Sequence, residues 1–281
     1  MEFLLASAFD QISSYDPTAI RRGLRHIEGL LAHLCRPYAS VSSPSPSKRD
    51  RSSSAGIDTR VADDPAYLEF LRLQDGFEWN RIVALRLVSC LERLLGQESN
   101  DQMTLLMLST LDLLRGVLLI HPASRRVFAR EVNMTILLDL LEPQSSPAAI
   151  QAATVNTLLC AVVEEWPNVR TFEALDGLAS VCTLFTRKDT DKEVKLRILE
   201  FLFFYLVPEP GATHQQQATS KHASSSSADG SSGGSSGSGI QGHVVRTSQE
   251  KQRMLGKYLS NVDSLVNELR QSQPFGNLMI S

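Results

Sequence analysis

The sequence predicts an all-α fold: an armadillo/HEAT-like stack of helical repeats carrying two disordered inserts. Three observations carry that prediction. Through most of the chain apolar residues recur at spacings of three and four rather than in alternation, which is the helical period. One pattern is written twice, about 44 residues apart, a period in the armadillo/HEAT range. Two stretches, 36–64 and 211–246, are rich in Ser, Pro and Gly and almost free of large apolar residues, so they cannot offset the entropy of ordering.

Composition sets the frame. The chain has 281 residues, 42% of them hydrophobic, and a net charge of −3. That balance gives no reason to expect nucleic acid or a membrane surface as a partner. The N-terminus carries Glu2 and Asp10 where a signal peptide would be basic and apolar, and no uninterrupted run of 18 or more apolar residues is present. The expectation is a cytoplasmic protein. Cys35, Cys90, Cys160 and Cys182 form no CxxC pair and sit beside apolar residues, so they read as free thiols.

Residues 1–35 read as a helix pair. Asp16 is placed as N-cap of the second helix, with Pro17 at its first position, and Ile20, Leu24, Ile27, Leu30, Leu31 and Leu34 form its apolar face. His26 and His33 share a face of that helix, but two histidines do not make a metal site. The core, 65–210, reads as helices at 66–75, 77–97, 100–120, 124–142, 147–165, 168–187 and 191–207. Gly96, Pro122, Pro143, Pro147, Pro167, Pro208 and Pro210 punctuate them. Thr190 and Glu193 have the spacing of a capping box at the start of the last one.

The repeated pattern joins "RVFAREVNMTILLDLL" from Arg126 to "RTFEALDGLASVCTLF" from Arg170. Arg126 matches Arg170 and Phe128 matches Phe172; the next helix continues the match, Val155 with Leu199 and Leu158 with Leu202. Each unit is too small to bury its apolar face alone, and stacked neighbours bury it together. The serine- and glycine-rich run "GSSGGSSGSG" lacks the strand and the following helix of a phosphate loop.

The search for chemistry returns no site. A cysteine phosphatase needs an arginine six residues after its thiolate, and those positions hold Val41, Gly96, Trp166 and Lys188. HExxH, P-loop, GxSxG and kinase signatures are absent. Glu164 and Glu165 are neighbours on a helix and do not face each other, and Lys188, Lys192, Lys195 and Arg197 alternate with acids in the manner of a solvated face. Asn156 stands alone on its helix, without the Trp and Asn ladder that armadillo peptide-binders use. No catalytic residue, metal, cofactor or small-molecule substrate is expected.

Four stretches, "FEWNRIVALRLVSCLERLLG", "HPASRRVFAREVNMTILLDLLEP", "RTFEALDGLASVCTLF" and "KEVKLRILEFLFFYLVPE", together with Glu250–Arg253 opening the final helix, resemble the fungal cell division control protein fourteen family. This is the septation initiation network component, not the phosphatase that shares its name. The resemblance implies a non-catalytic subunit that binds a germinal-centre-type (Ste20-like) protein kinase. It also implies support of that kinase's activity and of its placement at the spindle pole body, so that septation and cytokinesis follow mitotic exit. The residues alone leave two other readings open: a generic armadillo-like adaptor with a different partner, and an enzyme whose site has no recognisable motif.

Some residues are candidates for function because the repeat does not require them. Arg125, Arg130, Glu131 and Asn133 fall by the 44-residue shift on Val169, Ala174, Leu175 and Gly177, so they are candidates for a partner-binding face; an ordinary charged helix face is the other reading. Ser45-Pro46-Ser47-Lys48 has the pattern read by proline-directed kinases, and Ser43-Pro44 matches part of it, in a segment where such dipeptides also arise by chance. Residues 247–272 read as one amphipathic helix opened by Thr247 and Glu250 as a capping box, with 273–281 a tail. Its stripe of Leu255, Tyr258, Leu259, Val262, Leu265, Val266 and Leu269 is expected to dock back on the core, with docking on the kinase as the alternative.

Overall fold

The computed structural model describes residues 1–39, 64–75, 82–98, 100–142, 146–210, 245–264 and 267. Among them every regular element is helical and no strand occurs. The chain divides into two compact units, Met1–Ile198 and Leu199–Ser281.

The first unit opens with α1 (Glu2–Ile12) and α2 (Pro17–Ala39), packed as a pair. The Asp16 carboxylate accepts the amides of Thr18 at 3.0 Å and Ala19 at 3.2 Å, and Pro17 fills the first helical position. Gly23 sets how closely the two helices approach. A Cβ there would lie 2.7 Å from Ile12 Cγ2 and 2.8 Å from the Ala8 carbonyl oxygen. Helix α2 runs to Ala39, four residues into the stretch expected to be disordered from 36. Asp64 likewise belongs to the fold: its carboxylate accepts the amides of Ala66 at 2.7 Å and Tyr67 at 3.3 Å, capping α3 (Pro65–Asp75).

Next come α4 (Val83–Leu95), which Gly96 ends, and α5 (Asp101–Ile120), whose N-cap Asn100 accepts the Met103 amide at 2.9 Å. By length and composition α5 could cross a membrane, since its Thr, Ser, Asp and Gly residues interrupt an apolar run without making it polar overall. Here it packs on α2, α4 and α7 (Ala148–Val162), with Leu106, Leu111, Leu114, Val117 and Leu118 buried, as a core helix does.

Two segments expected to be single helices are each broken. The stretch 124–142 is a 3₁₀ helix, η1 (Pro122–Ala129), followed by α6 (Glu131–Asp139), with Arg130 extended between them at φ −86° and ψ 126°. The stretch 168–187 is α8 (Trp166–Ala174) and α9 (Gly177–Thr186), with Asp176 left-handed at φ 55°. Asp tolerates that conformation better than most residues, and the Asp176-Gly177 pair is a turn signal that the apolar period overrode. Gly177 is required here because a Cβ would lie 2.2 Å from the Phe172 ring.

The order of long helix, short helix, short helix thus occurs twice, and equivalent elements touch: α5 packs on α7, and η1 on α8. Phe128 and Phe172, the matched pair of the sequence pattern, are both fully buried. Their arginine companions differ, since Arg126 faces Glu165 at 3.7 Å while Arg170 pairs with Glu173 at 2.7 Å.

Helix α10 (Lys192–Leu206) contains the boundary between the units. Its start is not the expected capping box. Asp191 accepts the Glu193 amide at 2.8 Å, and the Thr190 hydroxyl donates instead to the Leu184 carbonyl at 2.7 Å.

In the second unit α11 (Ser248–Leu255) docks on the end of α10. The Thr247–Glu250 capping box is present in both directions. Ser248 Oγ donates to the Leu206 carbonyl at 2.8 Å, and Lys251 Nζ donates to the Val207 carbonyl at 2.9 Å. Lys251 also pairs with Glu209 at 3.3 Å, and both side chains are about 2% exposed. Glu209 accepts the Arg246 amide at 2.9 Å, so Arg246, placed in the insert by the sequence, is part of the fold. The helix expected to reach 272 stops at Gly256, with helical backbone resuming at Val262. Leu255, Leu259 and Val262 of the expected stripe are buried and Tyr258 is 40% exposed, while Leu265, Val266 and Leu269 lie outside the described residues.

Candidate interaction surface

The four residues singled out for a partner do not form one face. The last carbonyls of an α-helix have no partner inside the helix, and the breaks after α5 and α7 sharpen that shortage here. Leu118 near the end of α5 would be served by the amide of residue 122, which is a proline and has no N–H. Val163, the C-cap of α7, is extended at ψ 123°, so its carbonyl leaves the helical direction and meets no i+4 amide. Arg125 fills both vacancies: its Nε donates to the Leu118 carbonyl at 3.2 Å and its Nη1 to the Val163 carbonyl at 2.9 Å. The side chain is 9% exposed, and its charge sits where two helix C-termini converge, the end that favours a cation.

Asn168 completes the node. It is fully buried, and its Nδ2 donates to the carbonyls of Arg125 at 2.7 Å and Ala161 at 2.6 Å. Asn133 is buried as well, with Nδ2 on the Val127 carbonyl at 2.6 Å. The polar ends of Arg125 and Asn133 are therefore turned into the protein. Arg130 and Glu131 are exposed where η1 meets α6, beside Val132 at 70% exposure. The proline at i+4 from a helix-end carbonyl was the sequence signal that could have marked Arg125 as a structural donor. Ser43 and Ser45 lie outside the described residues.

One arrangement that the sequence did not suggest has the spelling of a catalytic triad. His121 Nδ1 lies 2.7 Å from Ser124 Oγ, and His121 Nε2 lies 3.2 Å from Asp75 Oδ1. Its geometry is that of a corner brace. Ser124 is 3% exposed and the imidazole 6% exposed, so the hydroxyl meets no solvent-borne substrate. The carboxylate comes from the end of α3, and Tyr67 of that helix donates to the Ile120 carbonyl at 3.1 Å. The two contacts fix α3 to the corner between α5 and η1. Among the described residues no group of three or more His, Cys, Asp or Glu side chains is placed to hold a metal ion. His26 and His33 are exposed on α2. The four cysteines are free, and burial raises the thiols of Cys90 and Cys160 and pushes that of Cys182 up to about 12.

The family model of Cell division control protein 14, SIN component, matches residues 1–275. The chain belongs to this family. A relative, Cell division control protein 14 of Schizosaccharomyces pombe, is 29% identical over 287 residues, spanning 99% of this chain and 98% of its own length. No solved structure matches. The family assignment spans both units, so α11 and its docking contacts lie within the family's extent, as do Arg125, Asn168, Arg130 and Glu131. This member of the family is thus a SIN component of cell division control.

Proposed function

We propose that the protein is a non-catalytic subunit that binds a germinal-centre (Ste20-like) protein kinase of the septation initiation network. In this reading it supports the kinase's activity and its placement at the spindle pole body, and so couples mitotic exit to septation and cytokinesis. What supports the reading is the family match across residues 1–275, together with a fold that is all-helical among the described residues and whose one Ser-His-Asp constellation keeps its serine and histidine buried. A helical stack with its polar nodes spent on helix ends offers surface rather than chemistry.

Arg130 and Glu131 carry the partner-binding proposal forward, because they are exposed at a corner with Val132 beside them. Arginine is enriched among the residues that dominate interface binding energy. The function is tested by purifying the full chain from mitotically arrested cells and assaying co-purified kinase. Stoichiometric recovery of a Ste20-like kinase, with its activity and spindle pole signal lost when the chain is depleted, is the expected result. Recovery of other partners with kinase activity unaffected refutes it and favours the generic adaptor. In the same assay Arg130→Ala with Glu131→Ala should weaken kinase recovery without changing the melting temperature.

A further inference from the structure

Helices α2 and α5 lie side by side in the first unit, and toward their N-terminal halves they leave an open groove of about 440 Å³. Its walls are Arg21, Arg25 and Glu28 from α2, and Leu105, Asp112 and Leu113 from α5. The groove is apolar along one side, where Leu105 is 59% exposed and Leu113 half-buried.

Its charges are arranged by sign. Arg21 and Arg25 are exposed one helical turn apart, and neither pairs with a carboxylate among the described residues. Like charges at that spacing cost a few tenths of a kcal/mol. Asp16, ahead of the pair, already accepts the amides of Thr18 and Ala19, and Glu28, three residues after Arg25 on the same helix, makes no ion pair with it among the described residues. Two turns along α2 from Arg21, about 10 Å by helical rise, and just under one turn beyond Arg25, stands Glu28; Asp112 lines the groove from α5, with one oxygen paired to Arg115 at 3.0 Å. The groove therefore has a basic end, an apolar wall and an acidic end.

We propose that this groove docks a helical segment of a partner protein with the complementary order. Carboxylates lie over Arg21 and Arg25, an apolar side chain seats on Leu105 and Leu113, and a cation about two turns further on meets Glu28 and Asp112. Opposite signs at the two ends fix the direction in which the segment lies. They also disfavour a polyanion such as nucleic acid or an anionic membrane, which Glu28 and Asp112 would repel. That the segment belongs to the kinase rests on the function proposed above.

The test replaces Leu105 with a photo-crosslinking residue in the full chain, expressed in dividing cells, and sequences the cross-linked peptide. Leu105 is exposed, so the core tolerates the change. The expected adduct is a peptide with acidic, apolar and basic residues in that order. Its yield should fall at least about tenfold when Arg21→Glu and Arg25→Glu are added. Both arginines are exposed, so melting should be unchanged; Arg21→Gln with Arg25→Gln replaces the pair if it is not. A patterned peptide from a protein other than the kinase upholds the groove and overturns the kinase assignment. No adduct, an adduct within this chain or a second copy of it, a peptide without the pattern, or a yield indifferent to charge reversal overturns the groove proposal, whether or not the kinase co-purifies.

Discussion

Arg125→Ala is the substitution whose consequence the structure changes most. Read as a surface residue, Arg125 would be replaceable without loss of stability. In the fold its guanidinium holds the Leu118 carbonyl, which Pro122 leaves without a backbone donor, and the Val163 carbonyl, which the extended backbone after α7 turns out of the helix. A hydrogen bond from a charged donor contributes about 1.5–3 kcal/mol, and alanine removes two while leaving two buried carbonyls unserved. The cation's interaction with two converging helix ends adds to the loss, while release of a buried charge offsets part of it. The net expectation is about 3–5 kcal/mol. For a unit of this size, Met1–Ile198, that corresponds to a fall in melting temperature of about 6–20 °C. Lysine keeps the charge but lacks the fork needed to reach both carbonyls, so Arg125→Lys should fall between the two. Circular dichroism melts of the full chain, with Arg130→Ala as the exposed control, provide the measurement. An Arg125→Ala protein that melts with the control would refute the capping argument and return Arg125 to the list of surface residues.

Three further outcomes follow from the same contacts. Lys251→Met strands the Glu209 carboxylate in a buried setting and should cost about 3–5 kcal/mol, seen as faster hydrogen exchange through Ser248–Leu255; adding Glu209→Leu should recover only the part due to the stranded charge, since the Val207 carbonyl and the Arg246 amide stay bare, and no recovery at all would show that the pair is not the cause. Gly23→Ala tests sign, because helix propensity favours alanine by about 0.5–1 kcal/mol, whereas the clash with Ile12 and the rigid Ala8 carbonyl costs about 1–3 kcal/mol; denaturant melts should show net destabilisation. Burial pushes the Cys182 thiol up to about 12, so at pH 8 it stays protonated in the folded protein. Iodoacetamide should therefore label it only after unfolding, and labelling at native rates matching those of Cys35 would contradict the buried placement.

The sequence by itself determined several of the helix ends. Asp16 with Pro17, Asn100, and Thr247 with Glu250 act through amides two or three residues away, and Gly96 and the prolines act through their own backbone. These are local interactions, and a local pattern is enough to read them. The same locality explains the misreadings. The apolar period ran unbroken through Arg130 and Asp176, because a break of one residue barely disturbs a spacing of three and four. Thr190 and Glu193 had the right spacing, but the Leu184 carbonyl took the hydroxyl and Asp191 took the cap. What only the tertiary structure decided is which distant side chain serves each carbonyl that the chain's own breaks leave open. Pro122 orphans Leu118 and the extended backbone after α7 orphans Val163, and Arg125 reaches both; the end of α10 orphans Leu206, and Ser248 arrives from beyond the second insert; Lys251 takes Val207 beside it. A polar residue in a helical period looks the same whether it faces water or a helix end. Only packing brings an unsatisfied carbonyl to it, and the cost of leaving that carbonyl bare turns the side chain inward.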